Sequence, residues 1–282
     1  MSNVQQSRMD AIRQGVERIV ESNLLSDTFV SIALEDPSAC QYVLRKILNQ
    51  KDLKVVQSKG QYRLLNLTAK DAILDILAED GSGRLMNIEM QRKDTVDHAR
   101  RTRYYGSMLD KSSLDKGLSY DQLPDVYIIY ISETDMLETG EAVSRVKKTF
   151  GKDAKTYEDG RHVIYVNADV DDGSEVAKMM KYFKTADPDD MSQGMLSKRV
   201  RFLKREKGGY QRMCEAAEQL IDWGMKQGME QGIEKGIEQG IEQGNEQAAK
   251  NMYKKGFDPE MIADVLNKSL AQVKKWLGLP LD

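Results

Sequence analysis

The stretch AILDILAEDGSGRLMNIEMQR, residues 72–92, decides the fold of this chain of 282 residues. Its first half is a nearly continuous apolar run interrupted by Asp75, and its second half, LMNIEMQ, suits a returning strand. Between them, DGSG at 80–83 is typical of a tight turn. The stretch therefore predicts a β-hairpin from about Ala72 to Arg92.

Each predicted strand of the hairpin carries a carboxylate among apolar neighbours, Asp75 on the first and Glu89 on the second. A buried carboxylate is usually protonated, paired or bound to a metal. The hairpin register brings the two to about the same level, and Gln91 points to the same face as Glu89. Oxygen ligands without histidine suit Mg²⁺ or Mn²⁺, which could activate water and stabilise charge on a phosphate oxygen. The alternative is a solvated or ion-paired strand face.

Basic residues follow the second strand and continue into a helix predicted from about Val96 to Leu114. Their position beside the predicted metal site suits contacts with DNA phosphates. The net charge of the chain is −3, so a local patch has to provide such contacts. The alternative is an ordinary solvated helix face. The candidate DNA contacts are Arg92, Lys93, Arg100 and Arg103, and Arg101 belongs to the same basic run.

The regions on either side of the hairpin complete the fold class. A helix is expected from Pro37 to Asn49, and β-prone residues follow between about Val55 and Leu67. Two short runs rich in β-branched and aromatic residues, at 125–131 and 162–167, suit strands covered on both faces. Helices alternating with strands in this order predict an α/β (α+β) fold, a sheet with helices packed on it.

The C-terminal part is predicted to be an α-helical tail from about residue 187 on. Between Gly224 and Gly244 it repeats glycine at every fourth position, GMKQGMEQGIEKGIEQGIEQG, which allows close approach of another backbone. The repeat predicts either a homo-oligomer formed through this helix or a mobile spacer. Two short helices after Pro259 would form a small unit with a core of Ile262, Val265, Leu266, Val273, Trp276 and Leu277.

Composition narrows the classes of function and location. Two cysteines far apart, Cys40 and Cys214, and only two histidines argue against a zinc site and a disulfide framework. No apolar run is long enough to cross a membrane, and the first residues lack the apolar region of a signal peptide. We therefore expect a cytoplasmic protein without membrane partners.

The hairpin within KDAILDILAEDGSGRLMNIEMQ, followed by RTRYYGSMLD, resembles the PD-(D/E)XK nuclease family transposases, also called recombination-promoting nucleases. The resemblance extends from about residue 25 to 166. It implies a restriction-endonuclease-like core of a helix, three antiparallel strands, a helix and a further strand, which together form a mixed sheet flanked by helices. Asp75 matches the first acidic position of the motif and Glu89 the second, and Gln91 stands where the general pattern has lysine. Phe29 is followed by Val30, where the family often has a basic residue.

The resemblance implies a Mg²⁺-dependent (or Mn²⁺-dependent) DNA endonuclease that hydrolyses phosphodiester bonds and promotes recombination or transposition. The alternative is a catalytically decayed DNA-binding or protein-interaction module that oligomerises through its C-terminal helix. The two alternatives differ in metal binding: exchange of Asp75 should abolish it in the nuclease and be irrelevant in the interaction module. The expected segments are a polar leader at 1–22, a nuclease-like core at 23–195, a basic helix and repeat helix at 196–247, and a small helical unit at 248–282.

Overall fold

The computed structural model describes the backbone of residues 3–64, 71–92 and 97–280 and, within these ranges, the side chains from Gln6 onward. The chain divides into two compact units, Met1–Glu218 and Gln219–Asp282, whose boundary lies inside one long helix. The first unit holds the sheet, and the second holds the glycine repeat. The division into four functional segments stays a prediction.

Three helices precede the sheet, namely α1 (Asn3–Glu21), α2 (Asp27–Leu34) and α3 (Pro37–Leu48). α3 begins where Asp36 accepts a hydrogen bond from the Ala39 amide, and it ends at Asn49, whose φ is 55°. The helix predicted from Pro37 to Asn49 is therefore confirmed. The polar leader is helical too, and the buried residues of its inner face are Ile12, Val16 and Ile19.

A mixed six-stranded sheet forms the centre of the first unit, as predicted. The described strands are β1 Val55–Leu64, β2 Ala72–Asp80, β3 Leu85–Gln91, β4 Val126–Ser132, β5 Val143–Arg145, β6 Thr149–Phe150, β7 Lys155–Thr156 and β8 Arg161–Asn167. The six strands of the sheet run in the order β1-β2-β3-β4-β8-β5. The first three pair antiparallel, β3, β4 and β8 are parallel, and β5 pairs antiparallel with β8. β6 and β7 form a separate short pair.

The predicted hairpin is confirmed as β2 and β3, joined by a turn at Gly81–Arg84. Along β2, fully buried residues alternate with partly buried ones, so one face of the strand lies on the core and Asp75 points to the other. The β-prone region before the hairpin is β1, while Leu65 and Leu67 lie outside the described residues. Both later apolar runs are strands, and β4 is buried along its whole length.

Helix α4 (His98–Ser113) connects β3 to β4 and covers one face of the sheet. Its Met108 and Leu109 pack into a core with Leu74 of β2 and Ile128 of β4. This confirms the described part of the helix predicted from Val96 to Leu114, although Val96 itself lies outside the described residues. A single 3₁₀ turn follows at Tyr120–Gln122. The remaining helices of the first unit are α5 (Glu175–Thr185), α6 (Gly194–Arg205) and the first part of α7 (Lys207–Lys254).

The second unit contains the rest of α7, with the whole glycine repeat in helical conformation, followed by α8 (Pro259–Leu266) and α9 (Leu270–Leu277). Ala249 of α7 packs with Ile262, Ala263, Val273 and Trp276. The two predicted short helices are confirmed, but the prediction of Val265 as a core residue is wrong, because its side chain is 63% exposed. The buried face of α8 runs through Ile262, Ala263 and Leu266, and Val265 lies beyond its edge.

Candidate active site

The open end of the hairpin brings Asp75 and Glu89 together. The register pairs Ile76 with Ile88, so the next residues outward, Asp75 and Glu89, lie opposite each other and point to the same face. Glu89 Oε1 is 3.4 Å from the backbone nitrogen of Asp75. Asp75 Oδ2 accepts a hydrogen bond of 2.8 Å from the backbone N–H of Met90. The two acids predicted from the sequence therefore share one site.

Burial makes this pair of carboxylates electrostatically unfavourable. Burial is the largest cause of the raised pKa of Asp75, about 6, and the negative charge of Asp27 raises it further. The Glu89 side chain is 5% exposed. Its pKa lies well above the ordinary value, first because of burial and then because of the charge on Asp75. Two acids that resist ionisation side by side are typical of a site that binds a cation.

Three polar groups on β3 and α4 complete the site. Asn87, two residues before Glu89 and fully buried, donates its side-chain N–H to Glu89 Oε1 at 2.9 Å. Gln91, two residues after Glu89, accepts a hydrogen bond of 2.8 Å at its Oε1 from Nη1 of Arg101. The charge of Arg101 lowers the pKa of both Asp75 and Glu89. The contact between Gln91 and Arg101 was not part of the sequence-based prediction.

Residues of α2 and β1 also reach Asp75, and sequence reasoning missed them. Gln61 adopts a φ of 47° inside β1 and donates its side-chain amide to Ser31 Oγ at 3.0 Å. Ser31 Oγ lies 3.1 Å from the carbonyl oxygen of Asp75. Gln61 also hydrogen bonds to the Asp75 side chain and thereby lowers its pKa. Positive φ in a residue other than glycine is costly and is concentrated at functional sites.

The donor set fits a hard divalent cation. Among the residues that the structure describes, no group of three or more His, Cys, Asp and Glu side chains is arranged to hold a metal. Asp75 and Glu89 supply the facing carboxylates of the site, and the charge of Asp27 also acts on Asp75. Mg²⁺ commonly binds through one or two carboxylates and keeps several waters or substrate oxygens. The pair is therefore sufficient for Mg²⁺ or Mn²⁺, whereas zinc would prefer nitrogen or sulfur ligands.

A groove beside the acids is lined by two of the four predicted DNA contacts. It has a volume of about 620 Å³, and its lining includes Arg100, Arg101, Arg103, Tyr104 and Tyr105. Burial and then the charge of Glu89 raise the pKa of Tyr105, which relates the groove to the acidic pair. Two predicted DNA contacts, Arg100 and Arg103, thus lie in one groove.

The other two predicted DNA contacts lie elsewhere. Arg92 is exposed and forms an ion pair of 3.5 Å with Glu133, and it does not line the groove. Lys93 lies outside the described residues. A role for either residue in binding DNA stays a prediction.

The comparisons with known proteins give a family for the chain. The family model described as PD-(D/E)XK nuclease family transposase matches residues 40–221. This range contains the hairpin, both acids and α4. No curated protein and no solved structure gives a significant match. Within its described residues, the chain has no helix long and apolar enough to cross a membrane.

Proposed function

The chain belongs to the PD-(D/E)XK nuclease family transposases, and from this premise we propose that it is a metal-dependent DNA endonuclease. Family membership supports a nuclease or transposase type of function. The observation that carries the more specific proposal is the pair Asp75 and Glu89, which lie opposite each other on β2 and β3. Burial raises the pKa of both carboxyl groups, and the charge of Asp75 raises that of Glu89 further. A Mg²⁺ or Mn²⁺ ion held between them would remove that cost.

Each residue of the site has a distinct part in this proposal. The bound cation would supply Lewis-acid chemistry, by activating water and neutralising charge on the scissile phosphate. The Met90 amide fixes one oxygen of Asp75, and Asn87 fixes one oxygen of Glu89, so both ligands are oriented in advance. Gln91 orients the attacking water or a phosphate oxygen through its side-chain amide.

DNA is the proposed substrate, and it would lie along the groove. Arg100 and Arg103 would meet phosphates there, and Arg92 and Lys93 would extend the contact beyond it. With a net charge of −3, the chain would bind DNA through this local basic patch, so binding should weaken steeply with salt. Action in the cytoplasm, in recombination or transposition, belongs to the same proposal, and the free thiols of Cys40 and Cys214 agree with a reducing compartment.

The test is cleavage of supercoiled plasmid in the presence of Mg²⁺ or Mn²⁺. Asp75→Asn and Glu89→Gln remove charge with little change of shape. Each should reduce the rate at least about 10²-fold, since a metal contributes several kcal/mol to transition-state stabilisation. Glu79→Gln is the matched control, because Glu79 lies on the same face of β2 as Asp75 but at the other end of the hairpin, opposite Leu85. Circular dichroism verifies folding.

Equal cleavage by the wild type and both acid variants would contradict the assignment of the site. Absence of cleavage with either metal would contradict the endonuclease. The interaction-module alternative would then gain weight.

We also propose that the chain associates with a second copy of itself through the glycine-repeat part of α7. Five apolar residues of the repeat are 53–65% exposed in the structure, and a Cβ added at any repeat glycine would meet no atom within 4 Å. An apolar stripe beside glycines leaves room for another helix to approach closely. The stripe consists of Met225, Met229, Ile233, Ile237 and Ile241.

Light scattering over a concentration series tests this association. The molar mass should exceed that of the monomer and rise with concentration. Ile237→Glu should weaken association at least about tenfold, because burial of one such side chain contributes about 1.5–3 kcal/mol. Gln239→Glu adds the same charge outside the stripe and should have a much smaller effect. A monomer at every concentration would disprove self-association.

A further inference from the structure

We propose that Arg101, on α4, is a positioning residue of the active site, which orients Gln91 and supplies the positive charge that the motif strand lacks. This inference rests on the proposed nuclease function. Arg101 lies on a helix, ten positions beyond Gln91. It would supply the positive charge that the residues of β2 and β3 near the acids do not provide.

The hydrogen bond between Arg101 and Gln91 is the first support. Nη1 of Arg101 donates to Oε1 of Gln91 at 2.8 Å. A guanidinium group only donates hydrogen bonds, so Gln91 must present its carbonyl oxygen to Arg101. The NH₂ group of Gln91 then lies on the other branch of the amide and points away from the guanidinium group. Arg101 therefore determines the orientation of the Gln91 side-chain amide.

The balance of charge around the acids is the second support. Asp75, Glu89 and Asp27 are acidic, whereas Asn87 and Gln91 are neutral. The substrate is itself an anion, so the site needs positive charge beyond that of a bound cation to stabilise the transition state. Arg101 contacts Gln91, which points to the same face of β3 as Glu89, so the guanidinium group lies beside the acidic pair.

The third support is that Arg101 donates to Gln91 while part of its side chain stays accessible to solvent. Among the described residues, Arg101 forms an ion pair with Asp97 that is long, 3.9 Å, and the Arg101 side chain stays 32% exposed. A guanidinium has five N–H donors, and Arg101 also lines the groove with Arg100 and Arg103. It can thus hold Gln91 and still donate to a phosphate oxygen in the groove. The α4 backbone is well placed to hold this position, because the next residue, Thr102, is buried.

The cleavage test compares four variants with the wild type. Arg101→Gln should lower kcat about 10²-fold with little change in KM, as expected when one donor to developing charge is lost. Arg101→Lys should retain part of the rate, because it keeps the charge but loses the fork geometry. Arg103→Gln, which removes a charge from the groove alone, should act mainly on KM.

The double variant Gln91→Lys/Arg101→Gln tests the placement of charge directly. Since Gln91 touches Arg101, a lysine at position 91 would put an ammonium group close to the place that the guanidinium occupies. The double variant should therefore cleave at least about tenfold faster than Arg101→Gln. If Arg101 had a merely structural role on α4, a charge placed at position 91 of β3 would not restore cleavage.

Binding of Mn²⁺ without DNA, followed by electron paramagnetic resonance, is independent of cleavage. Because Arg101 repels a cation at Asp75 and Glu89, Arg101→Gln should bind Mn²⁺ several-fold more tightly than the wild type while cleaving more slowly. A loss of site structure would weaken both.

Three outcomes separate this inference from the proposed function. If Arg101→Gln cleaves as fast as the wild type or binds Mn²⁺ more weakly, the inference is wrong and the nuclease stands. If the wild type does not cleave but Arg101→Gln still binds Mn²⁺ more tightly, the charge is correctly placed and the nuclease is wrong. If the wild type binds no Mn²⁺, both are wrong.

Discussion

The carboxyl groups at the two ends of the β2–β3 hairpin have pKa values shifted in opposite directions. At the turn, Asp80 is buried and accepts hydrogen bonds from the backbone of Ser82 at 2.9 Å and from Arg84 Nε at 2.7 Å. Burial alone would raise the pKa of Asp80, but the hydrogen bonds from Arg84 and Ser82 lower it below the ordinary value. At the open end, burial raises the pKa of both Asp75 and Glu89.

The difference separates a carboxylate whose charge is compensated by hydrogen bonds and a cation from a pair whose ionisation is disfavoured. Asp80 meets a cation and several donors within the turn, so its charge stabilises the hairpin. Asp75 and Glu89 face each other, with the charge of Arg101 too weak to return either to its ordinary pKa. One end of the hairpin therefore holds two carboxylates whose ionisation is unfavourable, while the carboxylate at the other end has its hydrogen-bond donors and its cation. Such a difference is expected where a ligand completes the site.

Exchange of Glu89 should have the largest effect and should separate activity from stability. Glu89→Gln should reduce cleavage at least about 10²-fold, since one of the two proposed metal ligands is lost. The metal-free variant should nevertheless unfold at a higher temperature than the wild type, because the neutral amide removes repulsion with Asp75. Plasmid cleavage and thermal unfolding in a chelator measure the two effects. If the variant is both inactive and less stable, Glu89 stabilises the fold in the way that Asp80 does, and the predicted repulsion is wrong.

At the opposite end, Asp80→Asn should lower stability and leave catalysis by the folded protein intact. The expected loss is about 1.5–3 kcal/mol, the contribution of hydrogen bonds to a charged group. Urea unfolding at pH 7 measures it, and the cleavage rate of the folded variant provides the control. Unchanged stability would show that the ion pair with Arg84 contributes nothing to the hairpin, and the comparison between the two ends would fail.

Two glycines near the two ends extend the comparison to the backbone. A Cβ at Gly60 would lie 2.8 Å from the carbonyl oxygen of Ser31, whereas one at Gly81 would come no closer than 3.9 Å to any atom. Gly60→Ala should therefore cost about 1–3 kcal/mol by overpacking. It should also slow cleavage, because it displaces Ser31 from Asp75. Gly81→Ala should change stability by less than about 0.5 kcal/mol. Similar urea midpoints for the two variants would contradict the close packing of β1 on α2.

The smallest effect is the pH dependence that Asp80 contributes. Its pKa is lowered in the folded state, so the folded protein releases this proton more readily than the unfolded chain does. The stabilisation is thus fully present above the ordinary value of 3.8 and is lost as the pH falls through the lower folded value. The stability difference between the wild type and Asp80→Asn should shrink between pH 5 and about pH 3. A difference that stays constant over this window would rule out the charge as its origin.

Much of the site was predictable because its main parts are neighbours in sequence. The apolar runs, the DGSG turn and the positions of Asp75 and Glu89 all lie within residues 72–92, and a hairpin with a short turn leaves little freedom in register. The direction of the Gln91 side chain follows from the alternation of side chains along β3 alone. The long apolar run of β4 likewise predicts a strand buried on both faces, as observed.

Other parts of the site depend on contacts between distant elements. Ser31 meets the carbonyl of Asp75 across 44 positions in sequence, and the φ of 47° at Gln61 has no signal in its residue type. The exposure of Val265 in the second unit was also not predictable from the sequence, because apolar character does not reveal which edge of a short helix remains exposed.

The sequence by itself determined the elements of this protein, since hydrophobic period, caps and turn residues act within a few positions of one another. It also determined which acids were candidates, because Asp75 and Glu89 lie in apolar surroundings along their own strands. Only the tertiary structure decided that Arg101 reaches Gln91 and that Arg100 and Arg103 line a groove. The direction of α4 depends on the packing of Met108 and Leu109 against the sheet, which no local pattern contains.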